Sequence, residues 1–308
     1  MNYKQFKIGI ELECLIDYDS HADFINEVDM LPHNRYSVGD DGSISGEGEG
    51  IEIRANGALT YRQFKTSISS LCRVMKKYNV FVNNSCGYHV HVSNQRFFDA
   101  TNIKRIVFLW SAIEDVVLAT QPKSRINNNY CKRYLLQYLE DQKNPVPLPK
   151  AKSRLIETLH DRNRYQTMNL QALQDHGTIE IRVHAGTTQV TKVVNWVEFL
   201  LNMYSYALTK YKHKDVLELF NMPISEDKIT RTFELLSLPK NVAAFYEKRI
   251  DKFMFTLLQK QQESAGKVLG NMKAIRKARR VIEKKRAELG VIETAYRQEY
   301  EVIQQIQN

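Results

Sequence analysis

Four short stretches of this sequence carry polar side chains two residues apart, with aliphatic residues between them. They are Gly9-Ile10-Glu11-Leu12-Glu13, Ile51-Glu52-Ile53-Arg54, Gly87-Tyr88-His89-Val90-His91-Val92-Ser93 and Thr178-Ile179-Glu180-Ile181-Arg182-Val183-His184. Because side chains along a β-strand point alternately to opposite faces, each stretch predicts a strand with one charged face and one apolar face. We therefore expect one sheet with a charged working face, whose apolar face is buried under helices.

Apolar residues at helical spacing predict helices over residues 59–79, 101–120 and 189–211. Residues 40–50 contain four glycines and are expected to form a tight or mobile loop that leads into the Glu52 strand. Residues 121–150 are polar and end in a proline-rich run, which predicts a lid or a connecting segment.

A chain of 308 residues with 43% hydrophobic residues is long enough for one large domain or two. It contains no apolar run of about 18 residues, so no membrane partner is expected. The first seven residues lack the apolar core of a signal peptide. Four cysteines without close metal-ligand spacing favour a reduced compartment, and a cytoplasmic protein is the expectation.

The character of the chain changes after about residue 212. Residues 260–308 contain eleven Lys and Arg against six Glu, in the composition of solvated helices. We expect a catalytic domain over 1–212 and a helical C-terminal region over 213–308. The net charge of +9 favours an anionic partner, but the interleaved glutamates favour a solvated face or a homo-oligomer contact over a nucleic-acid surface.

The acidic candidates on the predicted charged face suit a divalent-cation site. Five carboxylates facing one another would destabilise the fold unless cations neutralised them. Oxygen ligands suit Mg²⁺ or Mn²⁺, and the neighbouring histidines shift the preference towards Mn²⁺ and Zn²⁺. The candidate acids are Glu11, Glu13, Asp41, Glu52 and Glu180.

Three arginines are placed to meet an anion beyond such metals: Arg54, Arg164 and Arg182. Metals and arginines on one rigid sheet are the equipment of phosphoryl transfer. Because the sequence contains no G-x-x-x-x-G-K-[ST] loop, phosphate binding would have to rest on these metals and arginines.

The order and spacing of these motifs resemble the amidoligase family. The resemblance covers roughly residues 8–211 and lies outside the C-terminal third. It is carried by Gly9 to Glu13, by Asp41-Gly42-Ser43 followed by Glu52, by Gly87 to Ser93, by Arg164-Tyr165-Gln166-Thr167-Met168-Asn169-Leu170, and by Thr178 to Arg182 followed by Gly186-Thr187. That family belongs to the carboxylate–amine ligase superfamily of glutamine synthetase and glutamate–cysteine ligase.

The resemblance implies an α+β fold of the glutamine-synthetase-like catalytic type, with a mostly antiparallel sheet, helices packed on one face and, in this chain, an α-helical C-terminal appendage. It also implies ATP-dependent amide formation. A carboxylate would take the γ-phosphoryl group to give an acyl phosphate, and an amine would then displace phosphate. The substrates would be a small-molecule or peptide carboxylate and an amine, with ATP and Mg²⁺ or Mn²⁺ as cofactors.

The resemblance also implies roles for individual residues. Two or three Mg²⁺ or Mn²⁺ ions would be held by Glu11, Glu13, Glu52, His89 and Glu180. Arg182 would stabilise the transferring phosphoryl group and, with Asn169, belong to the nucleotide site. His91 and Ser93 would lie on the nucleotide side. Asp41 would be a metal ligand or would orient or deprotonate the amine, and Arg164 is a further catalytic candidate.

Alternatives stay open at this point. Glu47 and Glu49 compete with Glu52 as the loop carboxylate, and Arg54 stands where the family more often has a small hydroxyl residue. His184 is expected to have a structural or substrate-side role. The rival functions are a metal-dependent hydrolase or nuclease that uses the same Glu/His cluster, and a catalytically inactive binding module that acts through its C-terminal helices.

Overall fold

A computed structural model describes residues 3–126, 128–135 and 164–253. Within them, six strands form one sheet in the order β2-β3-β1-β4-β6-β5, and every pairing between these strands is antiparallel. The strands are β1 (Lys7–Ile16), β2 (Tyr36–Asp40), β3 (Glu49–Ala55), β4 (Gly87–Ser93), β5 (Met168–Asn169) and β6 (Ile179–Ala185). The proline-rich run at 144–149 and the predicted appendage beyond residue 253 lie outside the described residues.

Helices lie between several of the strands and follow the last one, so the fold is a mixed helix and sheet. They are α1 (His21–Asp29), α2 (Tyr61–Lys77), α3 (Ala100–Ala119), α4 (Lys123–Ile126), α5 (Ala172–Asp175), α6 (Val190–Thr209), α7 (His213–Asn221), α8 (Glu226–Leu235) and α9, which runs from 240 to the last described residue, 253. The three helices that apolar periodicity predicts are confirmed as α2, α3 and α6. By contrast, α1 and β2 occupy a stretch whose polar composition did not reveal them.

Local capping explains where the first two long helices begin. The Thr60 hydroxyl accepts a hydrogen bond from the Gln63 backbone N–H, and the Gln63 side chain accepts one from the Thr60 backbone N–H. Such a capping box satisfies two N–H groups that the first turn leaves free, and a good cap contributes about 1 kcal/mol. Asp99 caps α3 in the same sense by accepting from Asn102 N–H at 2.9 Å.

The strand β1 shows most clearly how the sheet divides into two faces. Ile8, Ile10, Leu12, Cys14 and Ile16 alternate along it, and all five are buried. The residues between them include the partly exposed Glu11 and Glu13. The alternation that predicted one charged and one apolar face is therefore confirmed in the central strand of the sheet.

Helices α2 and α6 cover the apolar face, and two tyrosines of the sheet bond to them. The Tyr36 hydroxyl lies 2.7 Å from Ser67 Oγ in α2, and the Tyr88 hydroxyl donates to the Val193 carbonyl in α6. Both phenol rings are fully buried. Burying these rings stabilises the sheet, while the bonded hydroxyls avoid the cost of an unpaired polar group.

Residues 213–253 pack on the same body as the sheet. Helices α7 and α8 contact α3, and the buried Lys228 of α8 donates to Asp115 of α3 at 2.7 Å. All described residues fall in one compact unit. The boundary at residue 212 between a catalytic and a helical region stays a prediction. None of the described helices combines the length and apolarity needed to cross a membrane.

Candidate functional site

The register of the sheet aligns the predicted polar residues in rows across strands. Glu11 of β1 lies between Arg54 of β3 and His89 of β4, and Glu13 lies opposite Glu52. One row further along, His91 lies opposite Glu180, which in turn pairs with Asn169. Directly opposed residues in an antiparallel pair point to the same face, so these side chains share one surface, which we call the polar face.

His89 lies among three carboxylates of this face. Its Nδ1 is 3.2 Å from Glu11 Oε2 and 3.5 Å from Glu180 Oε1, and its Nε2 is 3.4 Å from Glu13 Oε1. The His89 side chain is buried. One imidazole thus links strands β1, β4 and β6 at the centre of the polar face.

His91 is the second imidazole of β4 and lies nearer to β6. Its Nε2 is 3.2 Å from Glu11 Oε1, and its Nδ1 is 2.9 Å from the Thr178 hydroxyl. Burial alone lowers the pKa of His91, but the contact with Glu11 and the charge of Glu180 outweigh burial and raise this pKa above its usual value. The polar face therefore attracts positive charge.

Glu180 is held by three neighbours of different chemistry. Asn169 Nδ2 donates to Glu180 Oε2 at 2.6 Å, the Arg182 guanidinium contacts Oε1, and His89 lies on the same oxygen. Burial raises the pKa of Glu180, yet His89, Arg182 and His91 together bring it below the usual range. This carboxyl is therefore ionised, as a cation ligand must be.

The backbone around Arg182 is fixed from both sides. Its N–H donates to the Thr167 carbonyl at 2.9 Å. The buried Arg125 donates through Nη2 to the Arg182 carbonyl, and through Nε to the Val183 carbonyl at 3.3 Å. Thr167 is itself held, because its hydroxyl donates to the buried Glu114 and accepts from Trp110 Nε1 at 3.0 Å. The Arg182 side chain therefore projects from a rigid support.

Two carboxyls of the polar face have pKa values shifted in opposite directions. Burial raises the pKa of Glu11, but hydrogen bonds from His89 and His91 hold it far below the usual range. Burial and the neighbouring Glu11 charge raise the pKa of Glu52 to about 7, although Arg54 opposes the shift. Like-charge repulsion is thus only partly compensated by protein cations, and a bound metal ion would relieve the rest.

Three groups of side chains on this face each bring ligand atoms within 4.8 Å of one another. The groups are Glu11 with His91 and Glu180, Glu11 with Glu52 and His89, and Glu13 with Asp41 and Glu52. Neighbouring groups share Glu11 or Glu52, so the donors run continuously across four strands and the β2–β3 loop. Carboxylate oxygens suit Mg²⁺ and Mn²⁺, and the imidazole nitrogens shift the preference towards Mn²⁺, so the residues present fit divalent cations.

The loop between β2 and β3 is tight and packed. Asp41 Oδ1 accepts from the Ser43 backbone N–H at 2.9 Å and from its hydroxyl at 2.6 Å. The buried Ile44 packs with Leu15 and Cys86. A Cβ on Gly50 would lie 2.5 Å from the Asp41 carbonyl oxygen, so glycine allows the backbone to close here. Of the two expectations for this loop, the tight form describes it, and it brings Asp41 to Glu13 and Glu52.

Three predicted residues lie at the margin of this cluster. Arg54 is exposed and contacts Glu52. Ser93 ends β4 on the same face as His91, opposite Lys7. Arg164 is exposed, and its guanidinium lies over the Tyr165 ring at 5.0 Å. Their predicted roles stay predictions.

His184 differs from the pattern of its strand. The pairing of β4 with β6 shifts register between Tyr88 and Val90, so His184 lies opposite Tyr88. The centroid of its ring lies 5.4 Å from that of Tyr88, which it meets edge-on, and 5.4 Å from that of Trp196, to which it is tilted. Its Nδ1–H donates to the Ala185 carbonyl. The bulge therefore turns His184 to the apolar face, although period-two alternation grouped it with Glu180 and Arg182.

The structure adds residues to the site that sequence reasoning missed. Thr178 contacts His91 and could have been found, because it stands two residues before Glu180 on the same strand pattern. His176 lies edge-on to His91 with 5.8 Å between ring centroids. Arg125 lies in the stretch interpreted as a lid or connection, and its sequence neighbours carry no signal for its role.

A comparison of the chain with known protein families gives a match over residues 55–204. No curated protein sequence matches the chain. The matched range contains His89, His91, Asn169, Glu180 and Arg182. It begins at the last residue of β3, so Glu52 and the acids of β1 lie outside it. Residues 55–204 match the model of a family described as "Putative amidoligase enzyme", which supports a ligase-type enzyme of the amidoligase family.

Proposed function

We propose that this protein is an ATP-dependent carboxylate–amine ligase that forms an amide bond through an acyl phosphate. The observation that carries the proposal is the continuous series of cation ligands on the polar face, beside the rigidly supported Arg182. The amidoligase family match supports the same reaction class. The glutamine-synthetase-like classification and the cytoplasmic location belong to this proposal as well.

Two or three Mg²⁺ or Mn²⁺ ions would be held by Glu11, Glu13, Glu52, His89 and Glu180. When bound, such ions neutralise phosphate charge and align the phosphates with the attacking oxygen. Asn169 contributes by holding Glu180 Oε2 in place. His91 and Ser93 would then face the nucleotide from β4.

Arg182 is suited to the charge that develops on the transferring phosphoryl group. Its guanidinium contacts Glu180, and its backbone is held by Arg125 and Thr167, so little reorganisation would accompany the reaction. One preorganised donor of this kind is worth about 3 kcal/mol, or about a hundredfold in rate. Arg182→Lys keeps the charge but loses the fork, and it should lower kcat while changing ATP binding much less.

The reaction balances as two displacements. A carboxylate oxygen attacks the γ-phosphorus and ADP leaves; the amine nitrogen then attacks the acyl carbon, and phosphate leaves with one oxygen from the carboxylate. Asp41, beside Glu13 and Glu52, would orient the amine or take its proton. Arg164 is proposed to act in the same steps. The carboxylate and the amine would be small molecules or peptides.

The test follows an isotope through the reaction. The protein is incubated with Mg²⁺, ATP and a library of amines and ¹⁸O-labelled carboxylates, and ADP and phosphate are measured. We expect ADP release that depends on both substrates, with label from the carboxylate in the released phosphate. The Arg182→Lys variant, at matched thermal stability, should be slow.

Other outcomes would contradict the proposal in distinguishable ways. Hydrolysis of a substrate without any nucleotide requirement would favour the metal-dependent hydrolase. AMP with pyrophosphate as products would replace the acyl phosphate by an acyl adenylate. Failure to bind metal or nucleotide at all would favour the inactive binding module.

A further inference from the structure

Gly87 begins β4 at a point where three functional side chains come together. A Cβ added at this position would lie 2.8 Å from His89 Nε2, 3.1 Å from Glu13 Oε2 and 3.3 Å from Arg125 Nη2. These three side chains come from three different elements, β4, β1 and α4. Two strands and a helix therefore bring polar groups against a residue that has no side chain.

The backbone conformation of Gly87 does not by itself require glycine. Several glycines of the described residues have a positive φ, and Gly87 is not among them. Other residues adopt a negative φ without the strain of the left-handed region. What excludes a side chain at position 87 is the space that the neighbouring side chains occupy.

The backbone around Gly87 is held in place, so it could not move aside to admit a methyl group. The Gly87 N–H donates to Glu13 Oε2. The carbonyl of the preceding Cys86 accepts from the Gly186 N–H at 2.9 Å. A Cβ on Gly186 would lie only 2.5 Å from Cys86 Cβ, so these two segments are already in close contact. An added methyl group would therefore have to displace side chains instead of backbone.

The side-chain atoms that would have to move are the ones that the proposed cation site needs. Ordinary van der Waals contact begins at 3.4 Å, so His89 Nε2 would have to retreat from 2.8 Å to at least that distance. The imidazole ring is rigid, so both of its nitrogens would move. Metal–ligand distances stay within about 0.2 Å of their preferred values. A methyl group at position 87 would thus disturb the geometry of cation binding.

Arg125 connects the same position to the support of Arg182. Its Nη2 donates to the Arg182 carbonyl, and its Nε donates to the Val183 carbonyl at 3.3 Å. Displacement of Arg125 by a side chain at position 87 would therefore reach the backbone that carries Arg182. Position 87 touches both the cation ligands and the residue that supports this arginine.

We propose that Gly87 is a positioning residue of the cation site. The absence of a side chain at this position lets the ends of Glu13, His89 and Arg125 converge. This convergence sets the spacing between the cation ligands and the support of Arg182. The role rests on the proposed function, because Gly87 supplies no ligand of its own. It makes glycine at position 87 a condition for cation binding more than for folding.

The test compares Gly87→Ala with Gly39→Ala, which adds the same methyl group elsewhere on the polar face. Gly39 lies opposite Glu52, and a Cβ there would meet nothing within 4 Å. Electron paramagnetic resonance of free Mn²⁺ measures binding to the full chain, and urea denaturation without metal measures stability. We expect folded Gly87→Ala to bind Mn²⁺ at least about tenfold more weakly than the wild type. Gly39→Ala should bind Mn²⁺ like the wild type.

The contrary outcomes distinguish this role from the proposed function. A wild type that binds no Mn²⁺ would contradict the proposed function and the role of Gly87 together. Equal Mn²⁺ affinity in the wild type and in folded Gly87→Ala would overturn the role of Gly87 alone. That holds even if the urea midpoint falls, because a packing role lowers stability without changing the affinity of the folded protein.

A double variant keeps the proposal open to refutation if Gly87→Ala does not fold. In the His89→Ala background, the ring that the new methyl group would meet is gone. The double variant should therefore fold like His89→Ala alone, since the two changes are not additive when the residues are in contact. A double variant with a lower urea midpoint than His89→Ala would show that the collision does not involve His89, and the proposal would be wrong.

Discussion

At the scale of single residues, the surroundings and the pKa of a histidine depend on which face of the sheet it occupies. His89 and His91 lie among the carboxylates of the polar face, and Glu11 connects them. His184, only a few residues from Glu180 in sequence, lies in an apolar environment against Tyr88 and Trp196. Burial and the nearby positive charge of Arg249 lower the pKa of His184 to about 3.

This lowered pKa predicts an acid-sensitive stability. The unfolded chain takes up a proton at its ordinary pKa of about 6.5, and the folded chain resists it until about 3. The contribution of neutral His184 to the free energy of unfolding is therefore complete above about pH 6.5, and it is lost as the pH falls from there to about 3. The free energy of unfolding that is lost over this whole range is about 5 kcal/mol.

The measurement is the free energy of unfolding of wild type and His184→Phe between pH 7 and pH 4. We expect the advantage of the wild type to shrink as pH falls, because phenylalanine cannot take up the proton. His33→Gln serves as the control for an exposed histidine. Parallel pH profiles for wild type and His184→Phe would contradict the account of this residue.

At the scale of secondary-structure elements, the β2–β3 loop shows how glycines position a carboxylate. A Cβ at Gly50 would collide with the Asp41 carbonyl at 2.5 Å and touch Ile44 Cβ at 3.0 Å, whereas a Cβ at Gly42 would meet nothing within 4 Å. The first contact is with backbone, which cannot turn away as a side chain can. Gly42 in the loop and Gly50 at the start of β3 therefore have different reasons to be glycine.

This difference predicts opposite effects of the same substitution. Gly50→Ala should lower the free energy of unfolding by about 1–3 kcal/mol, because the loop must shift to admit the methyl group. Gly42→Ala should be neutral or stabilising by up to about 1 kcal/mol, because it restricts the unfolded chain. Urea denaturation of both variants measures the effects. Equal losses in the two variants would be inconsistent with this packing.

The elements also show what could be predicted from the sequence. Period-two alternation identified β1, β3, β4 and β6 and their charged face, because polar and apolar residues alternate along each of them. It could not give the order of the sheet, in which β1 and β4 are central neighbours and β6 pairs with β4. Such pairings join residues far apart in the chain and leave no local signal.

The other differences between the sequence-based prediction and the structure have physical causes as well. The bulge beside Tyr88 turned His184 to the other face, and a one-residue irregularity does not alter composition. Glu49 contacts His21 and lies opposite Ile16 of the buried apolar face, so it does not compete with Glu52 for one site. Glu49 was considered only as a loop carboxylate, because sequence alone does not tell to which face a strand-end residue points.

At the scale of the whole molecule, one sheet presents a polar and an apolar face, and helices α7 and α8 pack beside it through α3. The interleaved charges of 260–308 favour a solvated face or a homo-oligomer contact over a nucleic-acid surface, and the oligomer contact stays a prediction. If it is an oligomer contact, deleting 260–308 should lower the number of subunits per particle, which light scattering after size exclusion measures. If the deletion alters neither oligomeric state nor partner binding, the region has neither role.

The central claim is that the polar face binds nucleotide through divalent cations, and calorimetry of ATP binding tests it most directly. Wild type should bind ATP only when Mg²⁺ or Mn²⁺ is present. Glu180→Gln, which removes a carboxylate held by Asn169 and Arg182, should weaken that binding more than about tenfold. Glu218→Gln, a surface carboxylate paired with Arg231, should bind like the wild type. An unchanged ATP affinity in a folded Glu180→Gln variant would contradict the placement of the site.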